Sequence, residues 1–101
     1  MNKIISYIGF AVRSGQFIAG QTPLKHSKKE IHLVLVCNTA SDNLKDLAHN
    51  IANKFNCPCI ITKPELSTLT KMENIKIFGI TDFNLANAIT LNKESIEIGK
   101  R

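Results

Sequence analysis

With 101 residues the chain has room for one domain with a genuine hydrophobic core and too little for two. A hydrophobic content of 44% with 21% charged residues lies outside the compositions of disordered chains, and no stretch approaches the ~20 apolar residues that a membrane span needs. The formal charge of +5, with a pI near 9.3, points to an anionic partner or describes only a solvated basic face.

That charge is uneven: residues 1–36 carry +4, residues 37–72 carry +1 and residues 73–101 carry none. Three cysteines, Cys37, Cys57 and Cys59, are an odd number. The N-terminus has its Arg13 after the apolar run, unlike an export signal. Together these predict reduced thiols and a cytoplasmic location, with no membrane association.

In chain order, Ile4, Ile5, Ile8, Ala11 and Val12 fall on one stripe of a first helix, which Gly15 is suited to end. Residues 16–19 are short and apolar, a candidate brief strand. Thr22 as N-cap and Pro23 in the first turn predict a short second helix ahead of "HSKKE". Residues 31–37 form a β-branched, nearly continuous apolar run, the pattern of a central strand buried on both faces. "NTASDN" supplies caps for a third helix, whose Leu44, Leu47, Ala48, Ile51, Ala52 and Phe55 keep helical spacing.

"CPCIIT" predicts a strand starting at its Pro. Pro64 and Glu65 open a short fourth helix with Leu66 and Leu69 inward. "IKIFGIT" is the next strand, and Thr81 or Asp82 caps a last helix with Leu85, Ala86 and Ile89 on one face. Helices and strands alternate throughout, which predicts a three-layer α/β/α sandwich around a central mixed, mostly parallel four-stranded sheet. Residues 1–101 are read as a single domain. The tail over residues 91–101 is left open between fraying and an edge strand at "SIEI".

Catalytic patterns are missing. There is no H-x-x-x-H, no nucleophile elbow and no G-x-x-x-x-G-K-[ST] phosphate loop. The glycines at 9, 15 and 20 follow a helix, not the strand a dinucleotide fingerprint requires. Cys57 and Cys59 with Cys37 would offer three thiolates but no fourth ligand, so buried structural cysteines are the better reading. Neither enzyme activity, nor a metal, nor a cofactor, nor a small-molecule substrate is expected.

A different chemistry is suggested by the ends of the strands. Helix N-termini that follow parallel strands gather at one end of a sheet and favour phosphates. Two such junctions are short and polar: Gly20, Gln21, Thr22, Pro23, followed by Lys25, Lys28 and Lys29; and Thr62, Lys63, Pro64, Glu65, followed by Lys71. A glycine at the first lets a polynucleotide backbone come close.

The segments "IGFAVRSGQFIAGQ", "HLVLVCNTAS", "KPEL" and "FGITDFNLANAI", in this order across residues 4–90, resemble the ribosomal-protein family that binds kink-turn RNA, of the L-seven-Ae and L-thirty-e type. The similarity is greatest to its small bacterial members. The resemblance implies a non-catalytic, ribosome-associated protein that binds structured RNA, ribosomal RNA among the candidates. The contact surface it implies is formed by the start of the second helix and the loop before the fourth. By position, Gly20, Gln21 and Thr22 occupy the base-reading start and Lys25 the nearby lysine, with Lys28 beyond it. Lys63, Pro64, Glu65 and Leu66 occupy the second loop.

The chain departs from the family pattern at Pro23, and in spacing Gly20 and Lys25 five residues apart where the family has six. Bland alternatives remain beside these roles. Lys25, Lys28 and Lys29 also suit a solvated face, Arg13 a helix C-terminus, and Glu65 a helix start that repels phosphate. The alternative to an RNA binder is a protein-interaction module that keeps the fold.

Overall fold

The computed structural model describes residues 3–63 and 66–92. Pro64, Glu65 and the tail beyond residue 92 lie outside these residues, as do the side chains of Ile4 and Leu69. The elements are α1 (Lys3–Ser14), β1 (Phe17–Ala19), α2 (Gln21–Lys25), β2 (Leu33–Cys37), α3 (Asp42–Phe55), β3 (Cys59–Thr62), α4 (Leu66–Thr70), β4 (Ile77–Ile80) and α5 (Phe83–Leu91). No helix among the described residues is long and apolar enough to cross a membrane.

The predicted caps explain most boundaries. α1 stops where Gly15 takes φ 74°, and the N–H groups of Gly15 and Gln16 turn back to Val12 O and Ala11 O. Asn56, at φ 56°, ends α3 with the same pair of bonds. Ser41 Oγ accepts from Leu44 N–H at 3.1 Å to start α3, and Asp82 Oδ2 accepts from Leu85 N–H at 2.8 Å to start α5. α2 differs from expectation. Gly20, not Thr22, stands at its N-cap, with φ 95° and ψ 153° and no side-chain bond.

The four strands lie in the order β1-β4-β2-β3. β2 and β3 are parallel, with Val34 opposite Cys59, whereas β4 runs antiparallel to both its neighbours, β1 and β2. The expectation of a mostly parallel sheet is therefore wrong: one of the three neighbouring pairs is parallel and the sheet is mixed and mostly antiparallel. The path that the chain takes between strands supplies the reason. The fourteen residues of α3 rise about 21 Å, enough to carry the chain back past a five-residue strand of about 17 Å. The five residues of α4 rise only about 7.5 Å. The chain is still at the end where β3 stopped, and β4 leaves from there in the opposite sense. β1 and β2 do run the same way, because residues 26–32 and not the equally short α2 take the chain to the other end, and β4 lies between them.

α1 packs on α4 and α5, and α2 packs on α3, so the helices form two layers about the sheet. β2 is buried along its whole length, as its apolar run predicts, and so is β4. The core continues through Ile8 and Ala11 of α1, Leu24 of α2, Ala48 and Ile51 of α3, Leu66 of α4 and Ile89 of α5. Phe17 and Phe78 stack with centroids 5.3 Å apart. Gly79 sets the distance of the second layer: a Cβ there would stand 2.6 Å from Leu24 Cδ2, so the missing side chain lets α2 settle onto β4.

Candidate nucleic-acid interface

The ends of β1, β2 and β3 and the start of β4 meet at one end of the sheet, and the hydrogen bonds there fix who stands beside whom. Gly20 N–H donates to Ile77 O at 3.1 Å, Cys37 N–H to Lys76 O at 2.9 Å and Asn38 N–H to Thr62 O at 3.0 Å. Reading across the end, Gly20 stands at the β1 margin, Lys76 and Asn38 in the middle, and Lys63 at the β3 margin. Three strand spacings separate the margins, about 14 Å. The two polar junctions singled out from sequence thus share one end, although residues 20 and 63 are far apart in the chain.

At the first margin Gln21, Thr22 and Lys25 are all exposed. Gln21 and Lys25, four residues apart on α2, lie on one face of that helix. Pro23 has no N–H, so the first turn leaves only the N–H groups of Gln21 and Thr22 without an intrahelical acceptor. Leu24 N–H reaches back to Gly20 O at 3.3 Å and His26 N–H to Thr22 O at 3.2 Å. Lys28 is exposed but sits past α2, in the connection that leads to the other end of the sheet, where His32 N–H meets Ile80 O. It does not join the Gly20 margin. Ser27 Oγ bonds the backbone of Lys29 on the same connection.

At the second margin Lys63 is exposed, and Pro64 and Glu65 fall outside the described residues. Leu66 is fully buried, and its N–H donates to Cys37 Sγ at 3.1 Å. Its side chain is therefore an anchor at the start of α4 and not a surface group. The Cys37 thiol in turn donates to Ile75 O at 3.7 Å, tying the starts of α4 and β4 to the end of β2.

Sequence reasoning missed the middle of this surface. Lys76 Nζ donates to Thr39 Oγ1 at 2.9 Å, placing a cation and a hydroxyl between the two margins, with Asn38 exposed beside them. The signal was present, as polar residues directly after β2 and a lysine directly before β4. It could be used only with the strand order in hand. The same end also carries Asp42 at the start of α3, where its carboxylate suits the helix dipole and opposes a phosphate.

Cys57 and Cys59 are half-buried free thiols, both pushed by burial from an ordinary 9.0 to about 11, with Cys57 adding to the rise at Cys59. The register opposes Cys59 to Val34, three residues before Cys37, so Cys59 and Cys37 project from opposite faces of the sheet. The three thiols cannot share an ion. Among the described residues no group of three or more His, Cys, Asp or Glu is placed to hold a metal.

The architecture is an α/β/α sandwich on a mixed four-stranded sheet, and its functional candidate is a polar, lysine-bearing end of that sheet. Its fold is similar to the solved structure of a protein of unknown function from Bacillus halodurans, with a TM-score of 0.79 at 15% identity over 93% of this chain and 99% of that one. No family model matches the chain. In sequence it is 30% identical over 101 residues to RNA-binding protein YlxQ of Enterococcus faecium, across 94% of this chain and 92% of that protein. The chain belongs to the YlxQ family.

Proposed function

We propose that the protein is a non-catalytic, ribosome-associated RNA binder working in the cytoplasm, and that residues 1–101 act as one RNA-binding domain. Its target is a structured internal loop, of the kink-turn kind or a close relative. The observation that carries this reading is the shared end of the sheet, where Gly20 and Lys63 flank Lys76. The similarity to a relative named as RNA-binding supports it independently.

Internal loops present unstacked base edges beside closely spaced phosphates. Gly20, lacking a side chain, lets such a backbone approach; Gln21 and Thr22 offer donors and acceptors to base edges. Lys25, Lys63 and Lys76 neutralise phosphates, and Lys28 extends the positive field along the molecule. Pro64 and Glu65 belong to the second contact segment, and the buried Leu66 follows them at the start of α4. Pro23 and the five-residue step from Gly20 to Lys25 shift weight from base reading to the phosphate grip. Each base contact is worth about 1–3 kcal/mol, so the expected preference for a kinked loop over a plain duplex is modest.

Calorimetric titration against a kink-turn RNA and a plain duplex, at two salt concentrations, tests this. The reading expects tighter binding to the kinked RNA, with the preference reduced by Gln21→Ala or Lys25→Ala. Equal, steeply salt-dependent binding to both would leave only a phosphate grip, and no binding to either at low salt would refute RNA binding.

A further inference from the structure

A second surface is a groove of about 570 Å³ between α1 and the end of α4, in the helix layer opposite α2. Its floor is apolar, made by Ile5, Val12 and Met72, and Ile5 is 41% exposed although it belongs to the stripe that should face the core. Gly9 deepens it. A Cβ at Gly9 would stand 3.3 Å from Arg13 Nη1, so the guanidinium lies over bare helix backbone at the groove wall. Lys71, held at φ 61° directly after α4, supplies a second cation. Among the described residues no carboxylate lines the groove and no ion pair engages Arg13 or Lys71.

We propose that this groove docks a short acidic segment of a partner protein, with an apolar side chain seated on Ile5, Val12 and Met72 and carboxylates at Arg13 and Lys71. Charge complementarity selects the sign of the partner. The apolar floor selects peptide over RNA, because it offers nothing to a phosphodiester or a base edge and would be desolvated by an aliphatic side chain. The volume accommodates a few side chains. The proposal uses no residue of the Gly20–Lys63 surface, and so stands or falls apart from the RNA reading.

The full chain is titrated, with backbone amide resonances as readout, against a synthetic peptide carrying two leucines at i and i+4 among glutamates. The comparison probes are the same peptide with lysines for glutamates and a single-stranded RNA oligonucleotide. The acidic peptide is expected to shift α1 and residues 70–72, and the lysine peptide is not. Arg13→Glu and Lys71→Glu should each weaken acidic-peptide binding about tenfold. Gly9→Val, which fills the groove without changing charge, should abolish it, with the kink-turn titration unchanged for that variant. Equal binding of both peptides, shifts outside the groove, or RNA shifting the groove in place of peptide would overturn the proposal. So would self-association abolished by Arg13→Glu, which assigns the groove to a second copy. Binding by a chain shortened after Asn92 but not by the full chain would assign it to residues 93–101, with the same consequence.

Discussion

Two glycines illustrate how much one position can control. Gly79 faces α2, and Gly79→Ala forces a Cβ against the buried Leu24. The expected cost is about 1–3 kcal/mol, read as a lower denaturant midpoint with an unchanged slope. A Cβ at Gly20 would make only ordinary contact with Pro23 Cδ at 3.5 Å, and the difficulty is backbone conformation, since φ 95° with ψ 153° is a region other residues avoid. Gly20→Ala should cost about 1–3 kcal/mol and turn the start of α2, weakening RNA binding in the same variant. The Cys57 and Cys59 thiols, raised to about 11, favour the protonated form in the folded protein. Their contribution to stability is thus full below about pH 9 and lost as pH rises through 11. Alkylation should be slow at neutral pH and accelerate over that interval. Gly15 was legible as a helix stop because the preceding periodicity ends there. Gly79 was not, since its neighbour Leu24 is distant in sequence.

Element boundaries follow from local chemistry, and their energetics are testable one at a time. Asp82→Ala removes the 2.8 Å bond to Leu85 N–H and should cost about 1 kcal/mol, which for a chain of this size lowers Tm by about 4–8 °C. Asp82→Ser should recover most of it. α3 and α5 were readable for this reason: a capping side chain and a 3.6-residue stripe both lie inside a dozen residues. α2 was read less well. Thr22 and Pro23 carry the usual signals for its first turn, yet the helix begins two residues earlier, on the bond from Gly20 N–H to Ile77 O. That bond belongs to the sheet and has no local signature. Leu66 is similar: its apolar character announced an inward position, but its N–H partner, Cys37, comes from β2, distant in sequence.

Over the whole molecule, the proposed RNA surface depends on three lysines from three separate stretches of chain. Lys63→Ala should lower affinity for kinked and plain RNA alike and reduce the salt slope by about one. A change confined to the kinked RNA would instead make Lys63 a base-reading residue. Asp42→Asn should strengthen binding modestly at low salt while slightly destabilising α3, because one carboxylate serves the helix dipole and opposes the phosphates. The sequence by itself determined the order of elements, most of their caps, the burial of β2 and the two polar junctions, because each is written in residues within a turn or a strand of one another. Strand direction, the place of β4 between β1 and β2, and the meeting of Gly20, Lys76 and Lys63 were decided only by the tertiary structure. α2 and α4 are both five residues long, yet the chain after α2 travels to the other end of the sheet through residues 26–32 and the chain after α4 does not, so whether two strands run together depends on packing across the whole fold.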